Sequence, residues 1–467
     1  MPPLYSCALF ALLPVTACAP AGVIRGAATP ISPSWLGINN GAVEVRDFSL
    51  TDERLQAVTV NQRAGVFRYP TGTGSGYWDW RTACVTGDKS CGTVNNTVRA
   101  LSAYVKATGV EPVIAVNMLT DNLTSQLEFL AACASAAVPV TRVELGNEYY
   151  LQNPDYLKAF PTAADYGLVA TQWIAAITSV YPDVSIAAIA SPVKPGSPSP
   201  REQTWNAGLL STLRGASALT MHEYTDTRIG KAGPFTPADV PVLLGAPFYW
   251  VNAIAAQVAL LPPSVGGIWV TEFNLKDSQV TGVSGTWAHG LYLATEAMLL
   301  VSNASARIQL AIPWQFLGDA SMGSIFSTTT GFSFTGSPDP TLPTTPYNRT
   351  AAAFTLGAFA TASKGRTSAS PLTISPNPFA QGADGRYDTI VGVAFEGGKA
   401  GASAVLLNLG ASAYDLDVES IGSFTRFETF SASPTSPVNT DSVVTFAQGT
   451  PGISMLLPPY SIAALTS

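Results

Sequence analysis

From about residue 34 to residue 364 the chain alternates short β-branched runs with longer stretches whose apolar residues recur at three- and four-residue spacing. The first pattern reads as strands and the second as amphipathic helices. Strands are predicted at 34–39, 64–70, 112–118, 141–148, 184–190, 218–224, 266–274 and 307–316. Helical segments such as TVRALSAYVKATG, SQLEFLAACASAA, YGLVATQWIAAITSVYP and TWAHGLYLATEAMLLVSN lie between them. Strand starts recur at intervals of roughly 30 to 50 residues, the length of one βα unit. Eight such units close an α/β fold of the (β/α)8 TIM-barrel type. An open doubly wound sheet is the rival, and no G-x-G-x-x-G stretch follows the first strand to support its dinucleotide-binding form.

After about residue 370 the helical spacing stops. Runs such as TIVGVAFEG, SAVLLNLG, YDLDVES, SVVTFAQ and SMLLPPYSIAAL are separated by Gly, Pro, Ser and Asp turns, which predicts a C-terminal β-sandwich. The early run GVIRGAA is expected to join it. The resulting division is a leader at 1–21, an N-terminal strand segment at 22–32, a barrel at 33–368 and a sandwich at 369–467.

Composition narrows the classes. Of the 467 residues 47% are hydrophobic and 12% charged, too apolar for disorder and too interrupted by Gly and Pro for a membrane bundle. The net charge is −7 and no Lys/Arg run occurs, so no nucleic-acid partner is expected and a heavily sulfated polymer is disfavoured. The first residues, MPPLYSCALFALLPVTACAPAG, have the short apolar stretch and small residues of a secretory leader, cleaved after Ala19 or Ala21, which implies a secreted protein. Val15–Cys18 also resembles a lipoprotein box, giving an acylated Cys18 as the alternative. No other apolar run is expected to reach spanning length, so no transmembrane segment is expected.

Cys84 and Cys91 close a short loop and form a plausible disulfide in an oxidising compartment, whereas Cys133, in an apolar helical stretch, reads as a buried free thiol. Sequons at Asn95, Asn122, Asn303 and Asn348 permit glycosylation. Nothing in the sequence fixes an oligomeric state.

A barrel builds its site at the C-terminal ends of its strands. Two predicted strands pass from apolar to polar residues there with a glutamate: Glu148 in TRVELGNEYY, on the fourth, and Glu272 in GGIWVTEFNL, on the seventh. Two carboxyl groups flanking an anomeric carbon are what glycoside hydrolysis needs, one protonated to release the leaving oxygen and one ionised to attack. Each alone also reads as a helix-cap or ion-pair residue. Glu144, an even step from Glu148, is expected deeper on the same interior side, available to a core cation such as Arg68. His222 has no second His or carboxylate at ligand spacing, so neither a metal nor a cofactor is expected. His289 reads as a packed helix residue, Trp269 as core, and Glu223 as facing away from Tyr224.

With Asn147-Glu148 and Glu272 in these places the sequence resembles clan A of the glycoside hydrolases. FRYPTGTGSGYWDW, RVELGNEYY and the sandwich make it most similar to family 79, which contains β-glucuronidases and heparanases. The resemblance implies a retaining β-glycosidase acting on a carbohydrate substrate, with Glu148 as acid/base and Glu272 as nucleophile. It further implies that Asn147 meets the sugar 2-hydroxyl and that Arg68 and Tyr224 orient the nucleophile. Tyr224, Trp314, Asn39 and Trp78 are expected to touch the sugar, with Tyr77 and Trp80 beside Trp78 in a loop where aromatics also serve as anchors. A glucuronate carboxylate would be met by backbone amides near Gly285 and 318–323. Other clan A activities (arabinofuranosidase, xylosidase, glucosidase) and a silent carbohydrate-binding protein remain the alternatives.

Overall fold

The computed structural model describes residues 20–39, 49–70, 72–85, 96–193, 196, 198–276, 279–318, 326–327, 347–398, 401–438 and 441–467. Eight parallel strands form one sheet in chain order: β1 (Gly37–Asn39), β2 (Val66–Tyr69), β3 (Glu111–Ala115), β4 (Arg142–Glu144), β5 (Ser185–Ile189), β6 (Ala218–Thr225), β7 (Ile268–Leu275) and β8 (Ile308–Pro313). A parallel bridge between Leu36 and Ala311 brings β8 against β1, with Ala311 N–H donating to Trp35 O and Phe316 N–H to Asn39 O. The sheet is therefore a (β/α)8 barrel. Alternate residues point inward, and Val66, Val113, Ala187, Ala218, Trp269, Leu310 and Ile312 pack as its floor.

One irregularity matters for the site. β6 pairs Met221 with Val270 but His222 with Glu272, so Thr271 is an extra residue in β7. A bulge of this kind breaks the alternation and lets two successive side chains share a face. The outer helices start on side-chain caps, as at Ala163–Val180, where Thr162 and Asp165 form a reciprocal capping box.

The sandwich is built on one large sheet. Its strands run in the order Gly22–Arg25, Ser368–Ser375, Ile390–Glu396, Ser403–Asn408, Ser461–Thr466, Arg426–Ser431 and Thr445–Gly449. The N-terminal strand thus lies antiparallel beside Ser368–Ser375, and Ala21 bridges Leu416. One face of the sheet meets the pair Tyr414–Asp417 and Ser454–Leu457 through Ala404, Leu406, Leu416, Leu457 and Leu465. The other face packs on the barrel through Phe395, Val405, Leu407 and Ile462. Phe359 and Phe354 of the helix Ala351–Ser363 sit 5.6 Å and 5.7 Å from the Phe395 and Phe430 ring centroids.

Two expectations need correction. The fourth strand ends at Glu144 rather than 148, because Gly146 (φ 97°) and Glu148 (φ 53°) turn left-handed there. An apolar run of spanning length does exist: the helical stretch Pro237–Ala259 is long and apolar enough to cross a membrane. Here it lies in the barrel's outer layer, burying Leu243, Leu244, Trp250, Val251 and Ile254. Cys133 is buried and free. Cys91, Asn95 and residues 1–19 lie outside the described residues.

Candidate active site

Above the apolar floor the barrel interior becomes charged, and Arg68 organises it. Its guanidinium is fully buried on β2 and reaches three acceptors: Nε donates to Glu144 Oε2 (2.6 Å), Nη1 to Glu272 Oε1 (2.5 Å) and Nη2 to Asn147 Oδ1 (2.9 Å). Burial works against its charge, but Glu144 and Glu272 outweigh it and hold the guanidinium more firmly protonated than usual. Burial likewise opposes the charge of Glu144, yet Arg68 and His222 bring its carboxyl down to about 2.

The bulge in β7 supplies the next link. Thr271 Oγ1 donates to Glu144 Oε1 (2.8 Å) and stands 3.1 Å from His222 Nε2. With its proton committed to Glu144, the Thr271 hydroxyl accepts from His222, so Nε2 carries a hydrogen. The other ring nitrogen, Nδ1, stands 3.0 Å from Glu148 Oε1 and 3.6 Å from Glu272 Oε2. Burial pulls the His222 pKa down, but Glu272, Glu144 and Glu148 raise it to about 9. At neutral pH the ring is therefore protonated, and its Nδ1–H donates to Glu148 Oε1.

The two glutamates differ in environment. Glu272 is 5% exposed and accepts from Arg68 and from the Tyr224 hydroxyl (2.5 Å). Glu148 is 17% exposed and accepts from the Tyr150 hydroxyl (3.1 Å). Burial first, then the nearby Glu272 or Glu148 charge, keeps Tyr224 and Tyr150 well above the usual phenol range, so both remain donors.

The loop after β4 makes this possible. At Gly146 a Cβ would stand 2.2 Å from the Tyr149 ring, so a side chain would collide there as well as strain the backbone. Asn147 Nδ2 is buried without a partner, a donor that an incoming hydroxyl would satisfy.

Glu148, His222 and Glu272 each offer one ligand atom within 4.8 Å of the others, so the fold assembles a possible three-ligand metal set that chain spacing did not reveal. Arg68 bound to Glu272 places a fixed positive charge against a dication there.

The structure gathers Glu148, Glu272, Asn147, Arg68 and Tyr224 into one cluster. Other expected contacts are corrected. Trp78 is only 2% exposed and packs edge-on against Tyr69 and Phe129, so it anchors its loop and does not face a sugar. Trp80 also packs on Phe129, and Tyr77 donates to Asp155. Asn39 is fully buried and donates to Thr271 O (3.0 Å), which makes it a brace for the bulge. Gly285 N–H is already engaged by His289 Nδ1, and 319–323 lie outside the described residues. Trp314 is half-buried beyond β8, its carbonyl accepting from Asn274. Glu223 faces outward yet is fully buried under the helices. Sequence reading missed Thr271, Tyr150 and Lys276. The ammonium of Lys276, just past β7, lies 5.3 Å from the Tyr224 ring centroid. Only the adjacency of Thr271 to Glu272 and of Tyr150 to Glu148 hinted at the first two.

No protein-family model matches the chain, and no curated protein matches it by sequence. Among solved structures it is similar to a family 51 α-L-arabinofuranosidase from Bifidobacterium longum. The identity is 14% over 96% of this chain and 99% of that one, with a TM-score of 0.70. A 4-O-α-L-rhamnosyl-β-D-glucuronidase from Fusarium oxysporum 12S is 14% identical over 96% and 100% of the two chains, with a TM-score of 0.61. A family 44 xyloglucanase from Paenibacillus polymyxa is 11% identical over 96% and 99%, with a TM-score of 0.59. These likenesses establish a shared barrel-and-sandwich fold.

Proposed function

We propose that the chain is a retaining glycoside hydrolase, with Glu272 as nucleophile and Glu148 as acid/base. The observation that carries this reading is that Glu148 and Glu272 approach closely enough for an oxygen of one to lie within 4.8 Å of an oxygen of the other, too near for an interposed water. Retaining enzymes hold their carboxyls about 5–5.5 Å apart, whereas inverting ones leave about 6.5–9.5 Å for a water. Glu272 attacks the anomeric carbon while Glu148 protonates the departing oxygen, giving a glycosyl ester. Glu148 then takes a proton from water, which attacks the same carbon and frees Glu272. Arg68 and Tyr224 aim the nucleophile, the protonated ring of His222 supplies a proton through its hydrogen bond to Glu148, and the amide of Asn147 meets the sugar 2-hydroxyl.

The first glycone is a β-glucuronide. Lys276 supports it by setting a cation beside Tyr224, where a uronate carboxylate can be met. The higher TM-score to an arabinofuranosidase than to a glucuronidase favours an α-L-arabinofuranoside as the second reading.

Aryl glycosides of both sugars separate them. Glucuronide turnover should dominate and fall about tenfold or more in kcat/KM in Lys276→Gln, as expected from losing a charged contact; release from the arabinofuranoside alone selects the second reading. In either case Glu272→Gln should fold normally and lose roughly three orders of magnitude in turnover. Glu148→Ala should regain turnover in azide with retained configuration, and undiminished turnover in Glu272→Gln rejects the nucleophile.

Secretion through a leader and the Cys84–Cys91 bridge belong to the same proposal. Cleavage after Ala19 would leave Ala21 its pairing with Leu416.

A further inference from the structure

A cavity of about 390 Å³ opens where the barrel meets the sandwich. Arg63 follows the helix Glu53–Asn61, and Lys364 and Arg366 follow the helix Ala351–Ser363. Barrel helices run against their strands, so these residues lie at the face away from Glu148 and Glu272. Arg426, Glu428, Thr466 and Ser467, which bears the terminal carboxylate, line the sandwich side.

Four cations around one cavity are conspicuous in a chain with only 24 Lys and Arg and a net charge of −7. Arg426 is neutralised by Glu428 at 2.6 Å. Among the described residues no carboxylate lies within 4.0 Å of Arg63, Lys364 or Arg366. Lys364 Nζ donates to Ala64 O (3.0 Å), in the connection before β2. Arg366 has no such outlet. It is 4% exposed, and its Nε donates to Ser403 Oγ (2.8 Å), which itself donates to Ala362 O and so fixes the guanidinium. Nη1 is buried with no partner, and Nη2 has no protein acceptor among the described residues. A buried guanidinium with unused donors, next to two further uncompensated cations, is matched by an anion that accepts several hydrogen bonds.

We propose that this cavity binds an oxyanion of the phosphate or sulfate type, held by Arg63, Lys364 and Arg366. The site is separate from the carboxylate cluster and does not depend on how that cluster is read.

The test is the unfolding temperature of the full chain at neutral pH in inorganic phosphate, in glucose 6-phosphate, and in sodium chloride at matched ionic strength. Phosphate should raise it by a few degrees where chloride does not, since a ligand of the folded state alone stabilises it. The rise should vanish in Arg63→Gln, whose exposed side chain is not needed for folding, and weaken in Arg366→Lys. A rise with both phosphates extends the ligand to a sugar ester, and one with inorganic phosphate alone restricts it to the free ion; either supports the site. An equal rise in chloride, or an undiminished phosphate response in Arg63→Gln, overturns it.

Discussion

His222 joins the two halves of the charged cluster, since its ring touches Thr271 on one side and Glu148 on the other. Its folded pKa of about 9 stands above the ordinary value of 6.5. A basic group raised in this way contributes stability that is complete below pH 6.5 and is lost as pH rises through 9. The contribution is roughly 3 kcal/mol at most, because each tenfold change in proton affinity is worth about 1.4 kcal/mol. Stability should therefore fall between pH 6.5 and 9 more steeply in the parent than in His222→Gln in urea titrations, the difference between the two slopes being the His222 part. An unchanged slope in the variant would assign the titration to another group.

At the level of elements, β6 and the helix Trp287–Ser302 meet outside the barrel. Thr225 and Tyr292 fix their register through hydroxyls 2.5 Å apart. Two residues back along the strand is Glu223, and four residues on along the antiparallel helix is Glu296. These steps are about 6.6 Å and 6 Å, so the two carboxyls face each other. Burial first, then Glu223, pushes the Glu296 carboxyl well above its usual range, and neither of its oxygens has a hydrogen-bond partner. A carboxyl raised in the folded state stabilises fully below the unfolded value, near 4.5, and progressively less as pH rises toward its folded value. Glu296→Gln should thus match the parent near pH 4 and exceed it at pH 8, with the gap growing by up to about 1.4 kcal/mol for each step of one in pH. Thermal melts across that range check it, and a variant less stable at pH 8 removes the argument.

Across the whole molecule, the strands that join barrel to sandwich are apolar on both faces. Val393 and Phe395 face the barrel while Ala394 faces the sandwich core, and Ile462 and Ala464 alternate with Ala463 and Leu465. The N-terminal strand closes one edge of this sheet with Val23 in the core. Removing residues 20–30 should expose the Ser368–Ser375 edge, lower the melting temperature and promote association. Light scattering of the truncated chain, compared with the parent, checks the outcome; a monomeric product of undiminished stability would show the strand to be dispensable.

The local pattern alone determined the βα alternation, the change to short strands after residue 370 and the polar ends of the fourth and seventh strands. These follow from periodicity, which is written in neighbouring residues. Tertiary structure decided the rest. Asn39 and Trp78 read as site residues because a strand end and a glycine-rich loop look open in sequence, yet packing from distant segments closed over both. Thr271 could not be placed by alternation, since its inward turn depends on a bulge set by pairing with β6. The Arg68–Glu144–Glu272 network and the basic cavity join residues far apart in the chain. Charge compensation acts through space, and only closure of the barrel and its seam with the sandwich brings those charges together.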